Sequence, residues 1–205
     1  MAADSAVTSY GPSGHKVYTT ANKIFALSNH CPVGIMFYAS AAFMGIPWET
    51  VVKMYRHEFG MVPRNRLQEF ADHFLDYLRR DNGFITPEIQ LRHVRFSVFN
   101  YYHQLMGNIA DAIRKEISAK AELKTKDVQT IVGRTVSEHN KRWTSASTVE
   151  QCPDDYMATL KKTYGKEISD IRKAVFEDVP MDASTKKMLT HIAFSLFMKY
   201  PEGIR

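Results

Sequence analysis

The strongest constraint on the fold is a change in hydrophobic period about forty residues into the chain. Before it, residues 16–27 and 32–38 are rich in β-branched and aromatic side chains. They are bounded by Gly11-Pro12-Ser13-Gly14 and by Ser28-Asn29-His30, a pattern that predicts two strands joined by a short turn. Beyond it the apolar residues recur at helical spacing to the end of the chain. Strand signal confined to the first fifth and helix elsewhere argue for an α+β chain that is mostly helical.

The helical part divides at its caps and breakers. Pro47 suits a first helical position and Glu49 complements the positive helix start, with Val51, Val52, Met54 and Tyr55 on one face up to Gly60. A second helix over 65–80 places Leu67, Phe70, Phe74, Leu75 and Leu78 together and stops at Asp81-Asn82-Gly83. Thr86-Pro87-Glu88 caps a long helix to about Lys120, with Val94, Val98, Phe99, Tyr102, Leu105 and Ile109 along its stripe. Further helices are expected at 125–143, 154–177 and 183–200, and residues 143–153 read as an exposed loop. The stripes Phe70/Phe74/Leu78, Phe99/Tyr102/Met106/Ile113 and Leu189/Ile192/Leu196 are expected to meet in one core.

Composition narrows the class. A chain of 205 residues with 44% apolar side chains can bury a sizeable core. Lys and Arg exceed Asp and Glu by 27 to 22, but the excess is spread along the chain, so no nucleic-acid footprint stands out. Two cysteines, Cys31 and Cys152, do not make a disulfide framework, which points to a reducing compartment. No apolar run is long enough for a membrane span, and a soluble cytoplasmic protein is the expectation.

Three short steps near the start carry a resemblance. Ala3-Asp4-Ser5, Asn22-Lys23 and Tyr38-Ala39-Ser40-Ala41-Ala42 occur in the order and spacing of a strand end, a strand opening, and a strand leading into a helix. In this the first sixty residues resemble the N-terminal nucleophile (Ntn) hydrolases of the proteasome β-subunit type, in particular the bacterial proteasome-like branch. The resemblance implies a four-layer αββα sandwich, here partial: an Ntn-hydrolase-like strand and helix core over 1–60 and a helical insertion or extension over 61–205. It also implies amide-bond or peptide hydrolysis of the threonine type by an assembly of several subunits, with no cofactor.

In that chemistry the first residue of the chain attacks a carbonyl, its own α-amino group is the base, a lysine lowers the proton affinity of the pair, and a carboxylate fixes the lysine. By resemblance Asp4 matches the carboxylate and Lys23 the lysine. Taken without the resemblance, Asp4 opens a turn with Ser5, and Lys23 is a strand-edge charge facing water. Met1, Ala2 and Ala3 carry no hydroxyl or thiol and leave no room for the strand that would precede Asp4. The chain is therefore expected to be a truncated form, inactive as it stands. The alternative is a noncatalytic helical scaffold or protein-interaction protein.

Other constellations are weaker. Cys31 follows His30, but neighbouring strand residues point to opposite faces. Cys152 precedes Asp154 and Asp155, which disfavour a thiolate. Glu69 and His73, with Asp72 and Asp76, share a helix face, yet a metal site needs three or four ligands and an orienting second layer. Arg92, His93, Arg95 and His103 alternate with Tyr101 and Tyr102, as a base-stacking surface or as the wet and dry sides of one helix. Gly11 and Gly14 lack the Lys-Ser/Thr of a phosphate loop.

Overall fold

The computed structural model describes residues 7–11, 14–18, 23–38, 40–80, 83, 85–119, 122–150 and 152–200. Asp4, the Ala3-Asp4-Ser5 step and Asn22 lie outside them. The chain is α+β, with six helices and four two-stranded antiparallel pairs among the described residues. It divides into two compact units, Met1–Gln90 and Leu91–Arg205.

In the first unit β1 (Val7–Gly11) pairs with β2 (Gly14–Tyr18), and β3 (Ile24–Ala26) pairs with β4 (Gly34–Met36). The expected 16–27 strand is thus two strands. A third hairpin, absent from the expectation, joins β5 (Ala42–Phe43) to β6 (Ile46–Pro47). Its two loop residues, Met44 and Gly45, have φ of 51° and 83°, the left-handed pair that a tight hairpin needs to match strand twist. Pro47 consequently ends β6 and precedes the helix rather than occupying its first turn.

Helix α1 (Trp48–Phe59) buries Val51, Val52 and Tyr55, and α2 (Leu67–Arg79) buries Phe70, Phe74 and Tyr77. Leu67, expected on the buried face of α2, is 70% exposed, and Leu75 is exposed as well. The seam runs 70, 74, 77, and Leu75 lies about 100° around the helix from Phe74. Leu27, Val51, Val52, Tyr55, Phe74 and Tyr77 form the core of this unit. Trp48 stacks on Phe37 with ring centroids 4.0 Å apart and 9° between planes, which fastens the start of α1 to the end of β4. At the other end of α1, Gly60 accepts the Asn29 amide (2.9 Å) and the Ser28 hydroxyl (3.2 Å). A Cβ there would sit 2.3 Å from the Arg56 carbonyl oxygen, so the close approach requires glycine.

Helix α3 (Pro87–Ala119) begins with the Thr86 hydroxyl accepting the Ile89 amide at 3.3 Å. In the second unit it is followed by α4 (Thr125–Ser145), β7 (Ser147–Thr148), α5 (Tyr156–Val175), α6 (Ala183–Ser195) and β8 (Lys199–Tyr200). Helix α6 packs against both α4 and α5 and is buried through Leu189, Ile192, Ala193 and Phe194. From α3, Val94, Val98, Tyr102, Leu105 and Ile109 enter the same core, spaced by three and four residues as a helical seam demands. The Tyr102 hydroxyl donates to the Leu189 carbonyl at 3.0 Å, so its polar end is satisfied inside the core.

Three expectations are corrected here. The stripes build two cores, one in each unit, instead of one. Phe99 is 47% exposed and Phe96 66%, because a 100° step from Val98 carries Phe99 off the seam. The segment 143–153 is not an exposed loop throughout: α4 continues to Ser145, Trp143 is buried, and Ser147–Thr148 pairs with Lys199–Tyr200.

Candidate functional site

Lys23 stands immediately before β3. Its carbonyl accepts the Phe37 amide at 3.0 Å, which extends the β3–β4 ladder by one step beyond Ile24 opposite Met36. Alternation along a strand then sets its side. Ile24 and Ala26 are exposed, whereas Phe25 and Leu27 turn inward to the first core. Lys23 has the parity of Phe25 and Leu27 and is half-buried. Lys23 thus shares the strand parity of Phe25 and Leu27 while staying partly accessible. Among the described residues no carboxylate lies within ion-pair distance of its ammonium. Asp4 lies outside the described residues.

Among the described residues, the hydrogen bonds at the two cysteines are made by backbone groups. The Cys31 amide donates to the Ser28 hydroxyl at 3.0 Å in a tight turn, and His30 Nε2 lies 3.1 Å from the Met61 sulfur. The Cys152 amide donates to the Val149 carbonyl.

The polar face of α2 is already partnered. Tyr55 Oη lies 3.0 Å from His73 Nδ1, and burial, then the charges of Arg64 and Arg80, hold this imidazole below its ordinary range. Burial chiefly raises the Tyr55 hydroxyl, and this contact engages a ring nitrogen that a metal would need. Glu69 accepts the Asn65 amide, Asp72 the Gln68 side chain and Asp76 the Arg79 guanidinium. Among the described residues no group of three His, Cys, Asp or Glu side chains could hold a metal ion.

On α3, Arg95 forms a bidentate ion pair with Glu167, with Nε 2.6 Å from one carboxylate oxygen, and Tyr102 is core. Tyr101 belongs to a network that the sequence did not reveal. The Trp143 indole donates to Tyr101 Oη at 2.6 Å, His139 Nδ1 lies 2.9 Å from the same oxygen, and Asn108 Nδ2 lies 3.1 Å from His139 Nε2. With the proton on Nδ1, His139 donates to Tyr101 and accepts from Asn108, so both nitrogens are used and no lone pair is left for a substrate. Burial first, and Arg142 second, favour this neutral ring. The adjoining cleft between α3 and α4, of about 580 Å³, carries Asp111, Glu116 and Glu138 beside Lys115 and Arg134, so its lining mixes charges of both signs.

A smaller cleft, about 260 Å³, lies between α5 and α6 and differs in kind: its charged lining is Lys161, Arg172, Lys186 and Lys187. These four come from positions spread over two helices, and no local spacing announces them. No family model, curated protein or solved structure matches the chain. No helix among the described residues is long and apolar enough to cross a membrane.

Proposed function

We propose that the chain is a proteasome-like N-terminal nucleophile hydrolase polypeptide, acting on peptide or other amide bonds, in which Lys23 is the lysine beside the attacking group and Asp4 its carboxylate partner. The observation that carries this reading is the inward placement of Lys23 on the face of β3 that also bears Phe25 and Leu27. A lysine is rarely turned inward without a partner, and a carboxylate on a neighbouring strand would supply one. Small residues follow β4, and the β5–β6 hairpin then leads into α1. In this reading residues 1–60 are the start of the αββα sandwich, residues 61–205 are a helical insertion or extension, and several subunits assemble into the working form.

The reading needs a nucleophile at the head of a strand, and the test supplies one. A short strand headed by a free N-terminal threonine is fused ahead of Ala3, and release of a fluorophore from peptide amides is followed. Turnover is expected, and Lys23→Ala in the fused form should abolish most of it, because the attacking pair then keeps too high a proton affinity. Turnover that survives Lys23→Ala would overturn the assignment.

A second reading, a noncatalytic protein-interaction chain, is favoured by the exposed Phe96 and Phe99 on α3. It expects no turnover in either form, and loss of self-association on sedimentation when both phenylalanines are replaced by Ser.

A further inference from the structure

We infer that the cleft between α5 and α6 binds a small phosphate-bearing ligand. Lys161 and Arg172 approach it from α5, and Lys186 and Lys187 from α6, so four cations surround a space of about 260 Å³ whose lining contains no carboxylate. Thr190 and His191 add polar groups between them.

The concentration is not the general habit of this surface. Lys173, adjacent in sequence to Arg172, pairs with Asp170 at 3.4 Å; Arg95, Arg114, Arg79 and Lys53 each have a carboxylate of their own. None of the four cleft cations has one within ion-pair distance among the described residues. Like charges gathered in one cleft repel, and an anion of two or more charges relieves that repulsion in a single step.

Arg172 is set in advance. Its Nη1 donates to Thr190 Oγ1 at 2.6 Å and to the Lys186 carbonyl at 3.1 Å, and its Nη2 donates to Ser169 Oγ at 3.3 Å. All three acceptors are neutral, so the guanidinium is held in place with its charge uncompensated, the condition in which it recognises an oxyanion best. His191 is likewise fixed, with Nδ1 2.8 Å from Asn140 Oδ1. Its imidazole is held below the ordinary range first by burial and then by Lys199 and Lys161, in keeping with a positive local potential.

The size decides among anions. The space is smaller than a usual drug-sized pocket but accommodates a phosphate or diphosphate on a small organic group. Met157 and Phe194 give it an apolar wall for that group. A short cleft between two helices also differs from the continuous basic stripe a polynucleotide requires. The site lies in the second unit and does not depend on the reading of Lys23.

The test is calorimetric titration of the full chain with inorganic pyrophosphate and with phenyl phosphate at low ionic strength. Saturable binding is expected, weakened at least about fivefold by Lys161→Gln and by Lys187→Gln, two exposed side chains whose loss leaves the core intact. Lys162→Gln, on the same helix but outside the lining, should leave the affinity unchanged. Absence of saturation up to millimolar pyrophosphate would overturn the inference. So would equal losses in the Lys161 and Lys162 variants, or an oligonucleotide that binds more tightly than pyrophosphate and loses affinity alike in both, since either marks diffuse attraction.

Discussion

Four histidines, His73, His93, His139 and His191, are held below the usual imidazole range, in each case first by burial. The unfolded chain therefore takes up protons on these rings before the folded chain does. Their contribution to stability is present above the unfolded value of about 6.5 and is lost as pH falls through the lower folded values. Thermal melts across a pH series should show the melting temperature falling as pH drops from about 7 toward 5, ahead of the carboxylate range. A flat profile over that interval would mean the rings are no more buried than in the unfolded chain. The same scale decides the role of α3. Phe99, partly exposed and touching His103 at a ring distance of 4.2 Å, should cost about 1 kcal/mol or less on replacement by Ala. Leu105→Ala, at a fully buried position, should cost about 2–5 kcal/mol in denaturant titrations.

Among the elements, the helices were the legible part, because each buries one stripe and the 3.6-residue period survives any tertiary context. Residues 183–200 show the limit: the apolar pattern runs on, but the helix ends at Ser195 and the chain turns into β8. The helix start is set by Asp182, whose carboxylate accepts the Thr185 amide at 2.7 Å, one residue before the expected region. The β5–β6 and β7–β8 pairs were less legible because two-residue strands carry no alternation to read. The β5–β6 turn places Met at a left-handed position where Asn is the common choice, so the local signal was missing. Met44→Asn should therefore raise stability by roughly 0.5 kcal/mol, read as a higher denaturation midpoint. Of the candidate site, Lys23 could be named from the sequence, but its inward face followed only from the register of β3 with β4. The α5–α6 cleft was hidden because its four cations come together only when the two helices pack.

At the scale of the molecule, each unit owns a core: one is built around Tyr55 and Phe74, the other around Tyr102, Trp143 and the buried flank of α6. The second is also tied at its rim. The β7–β8 pair sets Thr148 opposite Lys199, and the Val149 amide donates to the Met198 carbonyl at 2.9 Å on one side of them. Thr148 and Lys199 are thus a non-hydrogen-bonded cross-strand pair, the closer of the two kinds. This clasp fastens the ends of a loop of about fifty residues that contains all of α5 and α6, so the whole phosphate cleft hangs within one closed circuit. A covalent bond in place of the clasp would restrict the unfolded chain more than the folded one. With Thr148→Cys and Lys199→Cys joined as a disulfide, the chain-entropy estimate for such a circuit is about 4 kcal/mol, read as the difference between oxidised and reduced melts of the same variant. The two helices that frame the cleft would then remain within one covalently closed loop even when the rest of the chain has come undone.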